Sequence, residues 1–195
     1  MRYSAEHKKD TRERIVRAAA RRFRSRGTEG AAIGDLMRDL QMTHGGFYRH
    51  FASKEDLLVA AFGDDRNGIS GKIASSVERA PKGGEVKALI DAYLDIEHCD
   101  NAADGCAVAA LATELARRPP RSRARVAFEK ILKERTRRMA KYMPGATEEE
   151  REAKARMLMS GMAGTLTIAR VLTDEAARRR FLESAKKFYL DAVRR

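Results

Sequence analysis

Apolar residues recur at three- and four-residue spacing along most of this 195-residue chain, and this spacing limits its fold more than any other feature. Between residues 10 and 26 the apolar positions are Ile15, Val16, Ala19, Ala20 and Phe23. Residues with this spacing lie on one face of an α-helix, whereas strands need alternating apolar and polar residues. Alternating runs are few, and only four residues are proline. The sequence therefore predicts an all-α fold.

Helix-ending and helix-starting residues divide the chain into about nine predicted helices. Gly27 is typical of a helix C-terminus, and Ser53 is a typical N-cap residue. Thr147 with Glu150 three residues later predicts a capping box. The predicted spans are 10–26, 33–40, 43–51, a helix from 53 whose end is left open before Pro81, 86–98, 104–118, 122–142, 147–172 and 173–193.

The formal net charge is +12 and the sequence pI is about 10.0, which favours a polyanionic partner such as nucleic acid. The positive charge is concentrated in residues 1–26 and 117–141. The first segment adjoins the short helices predicted from residue 33 onward and would suit contacts with phosphate groups. The second is interpreted as a solvated helix face, with an anionic ligand or the acidic segment 63–116 as alternative partners.

Residues 33–51 read as two short helices joined by a turn of about four residues, which is helix-turn-helix geometry. The second helix of such a unit enters the major groove of DNA with its N-terminal end. Gly45 and Gly46 at that end would let the backbone approach the DNA closely. An ordinary flexible loop is the alternative interpretation of this glycine pair.

The side chains of this segment are predicted to contact DNA in two ways. Donors to phosphate are Thr43, Tyr48 and Lys54. Donors to base edges or the backbone are His44, Arg49 and His50.

The segment from Thr43 to Leu58 resembles the recognition helix and the following helix start of TetR-family transcriptional regulators. The matching residues are Thr43, Gly45, Tyr48, His50, Phe51 and Lys54, and the likeness extends back to Phe23 and Gly27 at the end of the first helix. The chain departs from the family pattern by having alanine where a helix-two cap is usual and Gln41 where the turn usually has glycine. It also has Met37 for the usual interhelical alanine and His44 for a frequent lysine.

The resemblance implies two domains, a helix-turn-helix DNA-binding domain in residues 1–60 and a helical domain in residues 61–195. The second domain would dimerise through the last two helices as a four-helix bundle and enclose an effector pocket. The implied function is that of a ligand-responsive homodimeric repressor, released from palindromic operator DNA by a small molecule. Small residues at 160–164 would permit close helix packing, or alternatively leave room for a ligand.

Four residues are candidates for an effector or redox site, namely Cys99, Cys106, Met157 and Met162. Cys106 stands at a predicted helix N-terminus, where the helix dipole would favour its thiolate and allow thiol-based sensing of electrophiles or oxidants. The alternatives are a small buried cysteine and ordinary core methionines. The spacing of the two cysteines and His98 matches no structural zinc pattern, so no metal is predicted.

Two further classes of function stay open, a nonspecific basic nucleic-acid-binding protein and a helical enzyme or carrier. The sequence has no Gly-rich phosphate loop, nucleophile elbow or HExxH motif, so neither an enzyme nor a cofactor is predicted. The longest apolar stretches, residues 57–62 and 106–112, are too short to span a bilayer. Together with two cysteines, which suit a reducing compartment, they predict a cytoplasmic protein without a membrane partner.

Overall fold

A computed structural model describes residues 5–63 and 68–194 of the chain, without the side chain of Ala5. This part consists of eleven α-helices and contains no strand, which confirms the all-α prediction. The helices are α1 (Ala5–Arg26), α2 (Ile33–Asp39), α3 (His44–Phe47), α4 (Lys54–Phe62), α5 (Ile69–Glu78), α6 (Glu85–Tyr93), α7 (Ile96–Asp100), α8 (Ala107–Ala116), α9 (Arg123–Ala140), α10 (Glu148–Ala169) and α11 (Glu175–Arg194).

The prediction of nine helices was wrong for the described residues, because two predicted helices are each divided in two. The helix predicted from residue 53 ends at Gly63, and α5 begins as a separate element at Ile69. The helix predicted for 86–98 breaks at Leu94, whose φ of −92° and ψ of 30° are not helical. Asp95 then starts α7 by accepting a hydrogen bond from the Glu97 amide at 2.9 Å.

The predicted helix ends are confirmed where a side chain or a glycine determines them. Ser53 Oγ accepts a hydrogen bond from the Asp56 amide at 3.0 Å, and Thr147 and Glu150 form the predicted capping box. Gly27 has a φ of 73°, which L side chains rarely adopt. A Cβ there would also lie 2.3 Å from Glu114 Oε1, the end of a flexible side chain, so it is chiefly the backbone conformation that favours glycine.

The helices enclose two hydrophobic cores. The first joins α1 to α4 with α8 and the N-terminal half of α9, and its largest side chains include Phe23, Phe47 and Phe128. The second joins α5 and α6 with the C-terminal end of α9 and with α10 and α11. The helices around the helix-turn-helix segment join it to the rest of the chain, because α1 contacts α8 and α4 contacts α9.

Polar contacts also join the end of α1 to the residues around α8. Glu114 accepts hydrogen bonds from the Thr28 amide and hydroxyl at 2.8 and 2.7 Å. Arg24 Nε donates to the carbonyl of Ala103 at 2.6 Å, and Arg21 forms an ion pair with Asp104. The end of α1 is thereby fixed to the loop that precedes α8.

Four large apolar residues are exposed, although apolar spacing along their helices predicts burial and is wrong at these positions. They are Val126, Met157, Ile168 and Phe188. Val126 lies opposite the face of α9 that buries its neighbours at positions 124 and 128. α10 has apolar residues on more than one face, so spacing alone does not show which face is covered.

Candidate DNA-binding surface and small-molecule cavity

A tight turn at residues 40–43 joins α2 to α3. Gln41 has a φ of 59°, in the left-handed region, at the position where the resemblance expects glycine. Its amide donates to the Arg38 carbonyl at 2.9 Å, and the Met42 amide donates to Met37 at 2.8 Å. These bonds satisfy carbonyls at the end of α2. At its other end α2 begins after Ala32, which gives no side-chain cap, as the departure from the family pattern predicts.

The α3 helix is short and is held from beneath by aromatic side chains. Thr43 caps it, because its Oγ1 accepts a hydrogen bond from the Gly46 amide at 3.2 Å. Phe47 and Phe51 are buried and stack with 5.6 Å between ring centroids. The Arg12 guanidinium of α1 lies 4.7 Å from the Phe51 centroid, a cation–π contact. This anchoring fixes which residues of α3 face outward.

Most of the predicted DNA-contacting residues lie on one exposed surface. The exposed ones are Thr43, His44, Gly45, Tyr48 and Arg49. The rings of His44 and Tyr48 meet edge to face at 5.7 Å, and Tyr48 is 58% exposed. A Cβ at Gly45 would contact nothing within 4 Å, so intramolecular packing does not require glycine there.

Gly46, His50 and Lys54 are half-buried and lie at the edges of this surface. The Nδ1 atom of His50 is buried without a hydrogen-bond partner in the described part of the chain. Burial, followed by the positive charges of Lys8, Arg12 and Arg49, lowers the pKa of His50 below its ordinary value. The neutral imidazole is thus favoured at this position.

The N-terminal half of α1 faces the recognition helix, and the individual residues it contributes were not predicted. A groove of about 650 Å³ lies between them. The α1 residues that line it are His7, Lys8, Thr11 and Arg14, opposite Thr43, Gly46, Arg49 and His50. The sequence showed a basic first helix, but only the packing of α1 on α3 identifies the side chains that share a surface with Arg49. Cations in such a groove suit a phosphate backbone.

A second opening of about 280 Å³ lies in the other core, among α5, α6, α9 and α10. Of the four predicted effector or redox residues, only Cys106 lines this cavity. Met162 and Cys99 are buried in the same core but do not line the cavity, and Met157 is 69% exposed. The structure therefore does not bring these four residues together in one site.

Cys106 is the N-cap residue of α8, and its thiol is buried. Arg135 Nη1 lies 3.9 Å from its sulfur. The Cys106 amide donates to Nε2 of the buried His98 at 3.0 Å, which leaves Nδ1 as the donor to the Tyr93 carbonyl at 2.5 Å. Burial lowers the pKa of His98 to about 4, so the ring is neutral near pH 7.

Cys99 differs from Cys106 in its surroundings. Burial raises the pKa of the Cys99 thiol, which disfavours a reactive thiolate. Its carbonyl accepts a hydrogen bond from Arg170 Nε at 2.9 Å. Within residues 5–63 and 68–194, no group of three or more His, Cys, Asp and Glu side chains is arranged to hold a metal ion. No helix in this part of the chain combines the length and apolar character needed to cross a bilayer.

A helix-turn-helix unit with an exposed recognition helix beside a basic helix, packed on a larger helical unit that contains a cavity, defines a class of transcriptional regulators. Comparison with known proteins agrees. Residues 15–61 match the family described as bacterial regulatory proteins, tetR family. The matched residues, from α1 to α4, therefore form a DNA-binding unit of the TetR type, as the resemblance predicts.

Two characterised relatives are similar over part of the chain. The A-factor receptor protein of Streptomyces griseus is 38% identical over 77 residues, which cover 40% of this chain and 25% of the receptor. The HTH-type transcriptional regulator LmrA of Bacillus subtilis (strain 168) is 29% identical over 107 residues, 54% of this chain and 57% of LmrA. The matches therefore span a quarter and somewhat over half of these relatives.

The fold is shared over a greater length. A TetR transcriptional regulator from Legionella pneumophila superimposes with a TM-score of 0.75 over 99% of this chain and 100% of its own, at 20% sequence identity. At this identity the likeness is one of fold.

Proposed function

We propose that the protein binds DNA sequence-specifically as a homodimeric repressor, which a small molecule releases from a palindromic operator. The observation that carries this proposal is the outward-facing surface of α3, held in place by Phe47 and Phe51 and bordered by the basic residues of α1. In this proposal the protein does not convert the small molecule chemically and uses no cofactor. We also propose that it acts in the cytoplasm.

In this proposal α3 enters the major groove with its N-terminal end. His44 and Arg49 are exposed donors that reach base edges, while Thr43, Tyr48 and Lys54 donate to phosphates. Gly45 lets the backbone come close to the DNA. His50 is the least exposed of the predicted base-contacting residues, so its contact is the one we expect to matter least.

The proposed dimer forms through α10 and α11. Met157 and Ile168 lie on one side of α10, and Val171 follows shortly after the helix ends; the three side chains are 69%, 55% and 76% exposed. Phe188 on α11 is 67% exposed. Large apolar side chains that are exposed together mark an interaction surface. A second copy of the chain would cover them and would present two recognition helices to half-sites about one helical turn apart.

Selection of DNA from a random pool by the purified protein tests the proposal. We expect enrichment of a palindrome. Arg49→Ala should weaken binding to it by roughly fivefold to a hundredfold, the cost of a base contact of about 1–3 kcal/mol. Lys130→Ala, which removes an exposed cation of α9 that does not line the groove beside α3, is the matched control and should bind normally. Enrichment of no palindrome would contradict the proposal.

Nonspecific nucleic-acid binding is the competing function that the basic charge supports. It predicts similar affinity for all sequences and a strong dependence on salt concentration. A specific regulator should bind its operator at least ~10³-fold more tightly than unrelated DNA at the same salt concentration. Titration of the selected palindrome and of a scrambled duplex side by side separates the two.

A thiol-based sensor on the same scaffold is the second candidate, because Cys106 lines the cavity with Arg135 beside its sulfur. An electrophile such as a quinone would be attacked by the thiolate and would form a carbon–sulfur bond at the start of α8. Release of operator DNA by a quinone, an aldehyde or hypochlorite is the measurement. Cys106→Ser should abolish this release, whereas Cys99→Ser is the matched control and should keep it. Unchanged release in Cys106→Ser would end the sensor hypothesis.

A further inference from the structure

The cavity among α5, α6, α9 and α10 has a consistent chemical character. Most of its wall is apolar and comes from Ile69, Ile73, Val77, Leu89, Met139 and Met159. No Asp or Glu is among the described residues that line it. Its volume of about 280 Å³ lies just below the range for small-molecule sites, ~300–1,000 Å³. The cavity therefore suits a small ligand with an apolar body.

One buried polar group in this wall has only a thiol beside it. Tyr93 is 4% exposed, and within the described residues its hydroxyl lies next to the Cys106 side chain and has no nitrogen or oxygen hydrogen-bond partner. Buried hydroxyl groups in native proteins are normally hydrogen-bonded. Tyr93 also lines the cavity, so a ligand there is in a position to accept its hydrogen bond.

The charged residues that line the cavity within the described part of the chain are all cations. Arg135 and Arg138 of α9, and Lys141 directly after it, line the cavity at three-residue spacing. Arg138 and Lys141 are exposed, and neither pairs with an acidic group in the part of the chain that the structure describes. Cations without a neighbouring carboxylate attract an anion and repel a cation.

From these three observations we propose that the cavity binds a small organic monoanion, a carboxylate with an apolar body. The carboxylate accepts a hydrogen bond from the Tyr93 hydroxyl and is attracted by Arg138 and Lys141, while the body contacts the apolar wall. This inference rests on the proposed function, because it names the chemical class of the small molecule that controls DNA binding. The binding step itself requires no DNA.

Isothermal titration calorimetry of the full-length protein tests the ligand class with three probes of matched body, octanoate, 1-octanol and octylamine. We expect octanoate to bind with one site per chain. 1-Octanol should bind at least tenfold more weakly, because it lacks the charge, and octylamine should not bind. Octanoate affinity should also fall as the salt concentration rises.

Substitutions locate the site. Tyr93→Phe keeps the ring and removes the hydroxyl, so octanoate affinity should fall about twofold to tenfold, the range for one hydrogen bond. Arg138→Gln and Lys141→Gln should each weaken binding by up to about fivefold, as exposed charge pairs do. Lys130→Gln, on the same helix and outside the cavity, is the matched control and should leave the affinity unchanged.

Three outcomes would overturn the inference. They are binding of 1-octanol as tight as that of octanoate, no binding by any straight-chain carboxylate from butanoate to decanoate, and wild-type octanoate affinity in all three cavity variants. DNA selection reports separately on the proposed function. If a palindrome is selected but no carboxylate binds, only the inference about the ligand is wrong. If a carboxylate binds but no palindrome is selected, only the proposed function as a specific DNA-binding regulator is wrong.

Discussion

Gln41 has a backbone conformation that is unfavourable for a residue with a side chain. Its φ of 59° lies in the left-handed region, which costs a residue other than glycine about 1–2 kcal/mol. Gln41→Gly removes this cost. Glycine also gives the unfolded chain more conformational freedom, and this reduces the gain in stability by roughly 0.5–1 kcal/mol. We expect a net gain of about 0.5–1 kcal/mol in the free energy of unfolding, measured by urea denaturation. Gln41→Ala should leave stability nearly unchanged, and equal stability of both variants would contradict this account.

His98 makes the stability of the protein depend on pH. Its pKa is about 4 in the folded chain and 6.5 in the unfolded chain, so below pH 6.5 the unfolded state takes up a proton that the folded state does not. Stability from this group is full above pH 6.5 and falls by about 3 kcal/mol as the pH drops to 4. His98→Gln should flatten urea-derived stability over this window, whereas His44→Gln, on the exposed α3, should retain the slope. A slope unchanged in His98→Gln would contradict the assignment.

At the scale of the helices, the Glu114 carboxylate joins α8 to Thr28, which follows the end of α1. Glu114 accepts two hydrogen bonds from Thr28, at 2.8 and 2.7 Å, and hydrogen bonds to a charged group contribute about 1.5–3 kcal/mol each. Because both bonds share one acceptor, we expect Glu114→Ala to lower the free energy of unfolding by about 2–4 kcal/mol. Glu134→Ala, at an exposed position of α9, is the control and should change it by less than about 0.5 kcal/mol.

The helix ends show what local sequence determines. Ser53 and Thr147 cap helices through bonds to their own neighbours three residues away, and Gly27 has the backbone conformation that its residue type favours. These features were therefore predictable. The break at Leu94 between α6 and α7 was not predictable, because the apolar spacing continues through this residue. The exposure of Ile168 was also hidden, since it depends on which helices cover α10.

The DNA-binding surface was predictable to a similar extent. The positions of Thr43 and Phe47 follow from capping and apolar spacing, and both are where the sequence predicts them. The contribution of Lys8 and Arg14 depends on how α1 packs across the recognition helix, which joins residues about thirty-five positions apart. The cavity near Cys106 depends on four helices at once, so the sequence indicated the cysteine but not its neighbours.

At the scale of the whole molecule, the two cores are not separate bodies. Val108 packs against both, and α8 and α9 contribute to each. Cys106 lines the cavity and directly precedes α8, while Arg24 of α1 binds the carbonyl of Ala103 in the same loop. The cavity and the first helix of the DNA-binding unit are therefore three residues apart along one loop.

The exposed apolar side of α10 leads to a prediction about assembly. Replacing Ile168 and Val171 with glutamate places charges where the proposed dimer buries apolar surface, and an unpaired buried charge is strongly unfavourable. We expect the double variant to sediment at the 21.8 kDa of one chain, whereas the wild type sediments as a dimer.

Because both side chains are exposed within one chain, far-UV circular dichroism should be unchanged in this variant. Affinity for the selected palindrome should fall at least about tenfold, since two linked recognition helices bind more tightly than one. A matched Lys130→Glu and Lys133→Glu variant on α9 introduces the same residue type outside the proposed interface and should remain dimeric. A dimeric Ile168→Glu and Val171→Glu variant would show that this side of α10 is not the interface.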